Sequence, residues 1–416
     1  MSKRSRTLAI NSGALLAIQL ANYALPFILI PYLTRTLGTS LYGVVAFGLA
    51  LIQLACVITD YGFNLSATYK IAKNSEDKLE QRNIVTAVTV CKIALLLPVS
   101  ILLGIYIFLD SKYDDHQLFF WLLLFPIIGQ TIQPTWFFQG IERMAFITAC
   151  TILSRILYAA LIVLFVSDAK YYYWVAIAQG IANISASAMG TYLILRLGYW
   201  PRWCGWKYIQ TTFLESTNFF WSRAAVATYT TGSTVFLGLA LTPIHVAYYS
   251  AAEQIYKAGY LLMGSLSQAL YPYMAREKNF SLLKKILKGS CAIGALSVIT
   301  CALIGQPVLS IIYGENFSPA YPTLIVFSFV FMISAPSILL GYPFLGAIGK
   351  LGIANRSVIW AGGVQVIAIA SIYLFNSVSE FSIALAILSA ELFVLIYRAK
   401  FAMNFKSKNQ EIRDHT

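Results

Sequence analysis

Charged residues are scarce in this sequence. They make up 11% of its 416 residues, hydrophobic residues make up 58%, and the mean hydropathy is +0.70. A typical soluble domain holds about 25% charged residues, so a chain this poor in charge is not expected to cover the surface of a soluble protein. Each membrane-crossing helix needs about 20 consecutive apolar residues. The composition therefore predicts a membrane protein and leaves little length for a soluble domain.

Residues that bind metals or act as nucleophiles are also few. The three histidines lie far apart in or near loops, and the six cysteines form no CxxC pair and fall mostly inside apolar stretches. The sequence lacks HExxH, GxSxG and a glycine-rich phosphate loop with a lysine. We therefore predict no metal site, no cofactor, no disulfide framework and no catalytic residue, and the protein is not expected to be an enzyme.

Twelve apolar stretches are long enough to cross a membrane as helices. A helix is the form in which a single crossing segment satisfies its own backbone hydrogen bonds. The predicted spans are 8–33, 41–63, 84–109, 118–138, 145–166, 172–195, 216–240, 246–271, 290–312, 322–347, 357–376 and 381–401. The first span follows the basic segment MSKRSR and is too long for the core of a signal peptide, so we expect it to be retained.

The basic residues predict the orientation of the chain. When the loops are assigned to alternate sides, 23 of the 30 Lys and Arg residues lie on the side of the N-terminus, three lie on the opposite side and four lie within spans. Cytoplasmic loops carry the excess of Lys and Arg in membrane proteins. We therefore expect a protein of the bacterial inner membrane with both termini in the cytoplasm. This distribution accounts for the net charge of +13 without a nucleic acid partner, and the basic segments are expected to contact anionic membrane lipids.

Two similar segments indicate an internal repeat. TSLYGVVAF at 39–47 and TPIHVAYYS at 242–250 each lie at an outer turn that leads into an inward-running span. Their positions indicate six spans followed by six more in the same orientation. A parallel repeat relates two lobes by a pseudo-two-fold axis along the membrane normal, with a site between them. We predict an N-lobe at 1–197, an interfacial linker at 198–215, a C-lobe at 216–401 and a cytoplasmic tail at 402–416.

Basic residues within the predicted spans are the candidate binding residues, because ionisable groups inside a membrane are costly and mark function. Four lie near the predicted mid-plane and a fifth lies near the outer end of the first span: Lys92, Arg155, Arg223, Lys257 and Arg35. A water-filled chamber lined by such cations would attract a phosphate-bearing substrate. For Lys92 and Arg155 the preferred interpretation is that they hold helices together within one half. For Arg223 and Lys257 it is that they line the chamber.

Two acidic residues within the spans are candidates for coupling transport to H⁺ or Na⁺. Glu253 lies four residues before Lys257, which is the favourable orientation for an ion pair on a helix. A separate proton-handling role for Glu253 is the open alternative. Asp60 lies near the inner end of the second span, directly before Tyr61 and Gly62, where it would cap or anchor a helix end.

Several motifs resemble those of the polysaccharide (O-antigen) flippases of Wzx type. They are PYLTRTLG at 31–38, YG at 42–43, DYGFNLSAT at 60–68, IA at 71–72, PTWFFQG at 134–140 followed by Glu142, SR at 154–155 and ALYP at 269–272. The resemblance covers the whole chain in length, span number and motif order, and its motifs are more specific in the first half. Arg35, Asp60 and Arg155 lie within matching motifs, whereas Arg223 and Lys257 are chosen by depth and lobe position.

The resemblance implies the fold of the multidrug/oligosaccharidyl-lipid/polysaccharide exporter superfamily, with twelve helices in two six-helix lobes and alternating access to a cationic cavity. It also implies a flippase that moves an undecaprenyl-diphosphate-linked O-antigen repeat unit from the cytoplasmic to the periplasmic leaflet during lipopolysaccharide biosynthesis. A polysaccharide polymerase and a chain-length regulator are the expected protein partners.

Two alternative functions remain open. The first is a multidrug exporter of the same fold, whose cationic substrates would favour an acidic cavity. The basic residues within the spans argue against such a cavity. A membrane polymerase or glycosyltransferase needs a sizeable extramembrane loop, whereas the longest outer loops here are 110–117 and 313–321.

Overall fold

A computed structural model of the protein describes the backbone of residues 3–414 and the side chains of residues 25–404 other than 222 and 229. Over residues 3–414 the chain is helical and forms no strand. The α-helices are α1 (Lys3–Asp60), α2 (Phe63–Lys73), α3 (Lys78–Leu109), α4 (Gln117–Leu122), α5 (Leu124–Ile132), α6 (Thr135–Gly140), α7 (Met144–Phe165), α8 (Trp174–Arg196), α9 (Trp206–Thr230), α10 (Gly232–Ala240), α11 (Pro243–Glu277), α12 (Phe280–Tyr313), α13 (Tyr321–Leu339), α14 (Leu351–Leu374) and α15 (Glu380–Asp414). Short 3-10 helices lie at Ser111–His116, Ala169–Tyr171 and Glu315–Ala320, and a π-helical turn lies at Leu340–Gly346.

The predicted all-helical membrane-spanning fold is confirmed. Helices cover each predicted span apart from a few end residues, with short breaks in the second, fourth and seventh spans. Within residues 25–404, eight stretches are long and apolar enough to cross a membrane: Leu25–Asp60, Lys78–Leu109, Ser111–Gly140, Met144–Phe165, Phe280–Tyr313, Glu315–Gly346, Leu351–Leu374 and Glu380–Asn404. The predicted spans 172–195, 216–240 and 246–271 coincide with α8, with α9 and α10, and with α11.

The first two predicted spans form one long helix that is interrupted at Gly38. This residue has φ 73° and ψ 179°, a backbone conformation that glycine adopts readily because it has no Cβ. The interruption falls between the predicted spans 8–33 and 41–63, so one glycine separates them without a longer loop.

Contacts divide the chain into two units, Met1–Ala227 and Thr228–Thr416. The division falls within α9. This helix begins at Trp206, earlier than the predicted span at 216–240, so part of the expected linker at 198–215 is helical. The predicted lobe boundaries themselves stay a prediction.

The first unit is held together by close helix packing and by an aromatic cluster. Helix α8 packs on α5 and α7, and α1 packs on α7. Gly129 of α5 permits a close approach, because a Cβ there would lie 2.7 Å from the backbone nitrogen of Ile184 in α8. Phe63 of α2 and the neighbouring Phe137 and Phe138 of α6 are almost fully buried in one apolar cluster. This cluster fixes α2 against α6, just after the end of α1.

Helix α13 lies at the centre of the second unit. It packs against α11, α12 and α15, and α14 packs against α15. At its C-terminal end the chain passes into the π-helical turn, where Gly341 has the non-helical values φ −68° and ψ −113°. Such a turn interrupts the regular i to i−4 hydrogen bonds and leaves backbone carbonyls in need of other donors.

Candidate functional site

Lys92 and Asp60 form a buried ion pair within the first unit. The Nζ atom of Lys92 on α3 lies 3.0 Å from Oδ1 of Asp60 at the end of α1. Their side chains are only 7% and 12% exposed. The other carboxylate oxygen of Asp60 has no hydrogen-bond partner among the described residues. The pair joins α1 to α3, as expected if Lys92 holds helices together within one half, and a contact between Lys92 and substrate stays a prediction.

Glu253 and Lys257 form the ion pair of the second unit. The Nζ atom of Lys257 lies 2.7 Å from Oε2 of Glu253, one turn earlier on α11. The carboxylate is almost fully buried with 6% of its side chain exposed, whereas the lysine side chain is 39% exposed. The lysine therefore balances a buried negative charge while part of its own side chain stays exposed.

The three predicted arginines all belong to the first unit. Arg35 on α1 and Arg223 on α9 are exposed, and Arg155 on α7 is half-buried. Four of the five predicted cations thus lie in the first unit, and Lys257 lies in the second. The structure brings Lys92 to Asp60 and Lys257 to Glu253. Substrate binding by all five cations stays a prediction.

A buried arginine near the end of the last predicted span was missed from the sequence. Arg398 of α15 was counted among the 23 basic residues on the cytoplasmic side, but its side chain lies inside the second unit, with the residue 8% exposed. Its guanidinium donates to the hydroxyl of Ser357 at 2.9 Å and to the carbonyl of Ser337 at 2.8 Å. Ser337 lies just before the π-helical turn, so Arg398 supplies a donor where the helical hydrogen bonds are interrupted.

One sequence signal pointed to this arginine. Glu391 precedes Arg398 by seven residues on the same helix, and residues at this spacing share a helix face. Glu391 is also buried, with 4% of the residue exposed. An acid and a base on one face of a predicted span indicate that the two residues face protein and not lipid.

Helix α9 is attached to α2 through its aromatic and hydroxyl side chains. The ring of Tyr61 stacks between those of Phe213 and Phe220, with ring centroids 4.2 Å and 4.6 Å away. The hydroxyl oxygens of Ser66 and Ser216 are 2.7 Å apart. These contacts position the part of α9 that leads to the predicted binding residue Arg223.

Metal ligands are not grouped in the described part of the chain. Within residues 25–404, no three His, Cys, Asp or Glu side chains come together in a way that could hold a metal ion. The predicted binding residues are lysines and arginines instead. Their ammonium and guanidinium groups bind anions through charge and hydrogen bonds.

The sequence is similar to those of proteins named for polysaccharide biosynthesis and O-antigen transport. Residues 8–278 match the family described as "Polysaccharide biosynthesis protein". An Escherichia coli K12 protein named "Putative O-antigen transporter" is 29% identical over 350 residues, which cover 81% of this chain and 83% of that protein. A Shigella dysenteriae protein of the same name is 27% identical over 310 residues, covering 72% of this chain and 76% of the relative.

Comparison with solved structures identifies the fold. The lipid II flippase MurJ in an inward closed conformation superimposes with a TM-score of 0.71 at 13% identity, over 95% of this chain and 87% of that one. A multidrug resistance MATE family transporter of the MOP superfamily, in its inward-facing conformation, gives a TM-score of 0.66 at 15% identity over 94% and 96% of the two chains. The chain therefore has the fold shared by these two kinds of membrane protein.

Proposed function

Because the chain belongs to the family of polysaccharide biosynthesis proteins, we propose that it is a flippase for lipid-linked polysaccharide units. Its substrate is an undecaprenyl-diphosphate-linked O-antigen repeat unit, which it moves from the cytoplasmic to the periplasmic leaflet. Two relatives that carry the name "Putative O-antigen transporter" support the substrate class. The fold of the lipid II flippase supports the type of movement.

The observation that carries the proposal on physical grounds is Lys257. A buried carboxylate and a partly exposed lysine side chain lie one turn apart on a helix that coincides with a predicted span. A cation in such a position is costly unless it serves a ligand or a partner. A diphosphate is the part of the proposed substrate that a lysine or arginine would bind, through charge-assisted hydrogen bonds.

The proposed mechanism is electrostatic. Arg35, Arg155, Arg223 and Lys257 bind the diphosphate during its passage, and the polyprenyl tail stays in lipid because its transfer into water is unfavourable. Alternating access then exposes the bound headgroup to the opposite leaflet. Asp60 and Glu253 each neutralise a lysine in the structure, so binding of H⁺ or Na⁺ at either carboxylate would change the charge that the substrate meets.

The proposal extends to the setting of the protein. The chain lies in the inner membrane with both termini in the cytoplasm, in agreement with its 23 basic residues on one predicted side and three on the other. A polysaccharide polymerase and a chain-length regulator take up the flipped units. No residue of the chain acts as a catalyst in this scheme.

A variant pair tests the role of Lys257 in a strain that lacks the chromosomal gene. Replacing Lys257 alone would leave Glu253 as an unpaired buried charge, so we use Glu253→Gln with Lys257→Met, and Glu253→Gln alone as its matched control. We expect the double variant to insert normally but to lose surface O-antigen and to accumulate single lipid-linked units on the cytoplasmic side. The control should retain part of the surface polysaccharide. Normal surface polysaccharide in the double variant would remove Lys257 from the transport path.

The multidrug MATE fold raises a second candidate function, the export of drugs. A drug-susceptibility screen of the deletion strain distinguishes the two. A flippase predicts loss of surface polysaccharide with unchanged susceptibility to cationic drugs. Increased susceptibility with intact polysaccharide would favour drug export.

A further inference from the structure

A large polar cavity lies between α2 and α9 in the first unit, separate from the predicted binding residues. Its volume is about 790 Å³, within the range of about 300–1,000 Å³ that is typical of small-molecule sites. Lys70, Lys73 and Lys207 are among the residues that line it. The proposed transport mechanism uses none of these three lysines.

The charges around this cavity leave two lysines available. Lys70 forms an ion pair with Glu215. The other acid that lines the cavity, Glu80, accepts a hydrogen bond of 2.5 Å from the hydroxyl of Tyr208. Lys73 and Lys207 are exposed and have no ion-pair partner among the described residues. The cavity therefore carries a positive charge that its own acids do not neutralise.

Exposed aromatic residues lie beside the lysines of the cavity. Trp203 and Trp206, next to Lys207, are 59% and 70% exposed, and Tyr69, next to Lys70, is 64% exposed. Leu65 lies one turn before Tyr69 and is also exposed, at 47%. Exposed tryptophan and tyrosine beside basic residues are typical of the headgroup layer of a bilayer. A ligand in the cavity could keep an alkyl chain in the neighbouring lipid.

We propose that this cavity, the α2–α9 cleft, binds the diphosphate of a membrane-bound prenyl diphosphate before the transport step. Lys73 and Lys207 bind the phosphates as point charges, and the polar wall that includes Thr211 and Asn74 receives the first sugar. The prenyl chain lies against the apolar surface around Leu65. The inference rests on the proposed function, because it names where that substrate first binds on the cytoplasmic side.

The α2–α9 cleft favours a diphosphate over a phospholipid because two lysines, Lys73 and Lys207, line the same cavity. A phospholipid presents one phosphate group, whereas a diphosphate presents two adjacent ones to two lysines that line the same cavity. Each lysine near an anionic membrane surface strengthens binding to it by about fivefold, and we take the same factor for each lysine that meets the diphosphate. Loss of both lysines should therefore weaken the binding of a prenyl diphosphate by about 25-fold.

Equilibrium binding to the full-length protein in phosphatidylcholine nanodiscs tests the proposal. The ligands are undecaprenyl diphosphate, phosphatidylglycerol and inorganic pyrophosphate, and the variant is Lys73→Ala with Lys207→Ala. The matched control is Lys284→Ala with Lys285→Ala, which removes the same charge from two exposed lysines of α12 outside the cleft. We expect undecaprenyl diphosphate to bind the cleft variant about 25-fold more weakly and the control variant within twofold of the wild type.

Three results would overturn the proposal. They are an equal loss of binding in both variants, no loss in either, and equal wild-type affinities for phosphatidylglycerol and undecaprenyl diphosphate. Pyrophosphate should bind more weakly than the lipid, because it lacks the prenyl chain, and equal binding would exclude the apolar contact. Binding is measured here without transport, so failure of the cleft site is distinguished from failure of the flippase function, which the surface polysaccharide reports.

Discussion

The buried pair of Asp60 and Lys92 offers a quantitative test of how the first unit is stabilised. The perturbation is Lys92→Met, which keeps most of the side-chain volume and removes the charge. Asp60 would then retain a buried carboxylate with neither oxygen paired, because its Oδ2 already lacks a partner among the described residues. The variant therefore tests the cost of an orphaned charge.

The magnitude follows from the geometry. Two unit charges 3.0 Å apart attract each other by about 5.5 kcal/mol at an effective dielectric constant of about 20. Removing one partner of a buried pair costs about 3–5 kcal/mol in measured cases. In a domain of the size of the first unit, each kcal/mol lowers the melting temperature by about 2–4 °C. We expect Lys92→Met to melt on the order of 10 °C below the wild type.

The assay is thermal unfolding of the purified protein in one detergent, with two companion variants. Asp60→Asn with Lys92→Met removes both charges and should recover most of the lost stability. Lys112→Met breaks the pair with Asp110, in which the lysine side chain is 39% exposed and the charged atoms are 3.7 Å apart. That change should cost no more than about 1 kcal/mol. The reasoning is refuted if Lys92→Met melts within 2–3 °C of the wild type, or if the double variant stays as unstable as the single one.

Two further variants test the packing of each unit by the same thermal assay. Gly62 has φ 78° and its added Cβ would lie 2.7 Å from Cβ of Phe219, so Gly62→Ala should lower the melting temperature by several degrees. Gly264→Ala is the control, because its Cβ meets open space, and equal effects of the two changes would contradict this account of Gly62. Arg398→Met removes the buried donor to the Ser337 carbonyl and the Ser357 hydroxyl, so it should cost about 1–3 kcal/mol. Wild-type stability in this variant would show that water or another group replaces the guanidinium.

The sequence predicted the helices well where an apolar run alone determines them. The span at 84–109 falls within α3, and the span at 357–376 follows α14 and passes its end at Leu374 by two residues. The start of α9 was placed too late, at 216, because residues 206–215 mix tryptophan, tyrosine and lysine with polar residues. Tertiary contacts support this segment, among them the hydrogen bond from Tyr208 to Glu80. A hydropathy window contains no information about such contacts.

The same distinction applies to the charged residues. The pair of Glu253 and Lys257 was predictable because its partners are four residues apart on one helix. Asp60 and Lys92 lie on different helices, so their pairing depends on how α1 and α3 pack. The buried position of Arg398 was missed for a related reason. Its oxygen partners, Ser357 and Ser337, precede it by 41 and 61 residues in the sequence.

The central claim is that this protein recognises the diphosphate of a lipid-linked sugar. Its most direct test is a flipping assay in proteoliposomes that contain the wild-type protein and a fluorescent sugar on undecaprenyl diphosphate, compared with the same sugar on uncharged undecaprenol. We predict that the diphosphate-linked sugar crosses the bilayer and the uncharged lipid does not. Movement of both lipids at the same rate would contradict the claim.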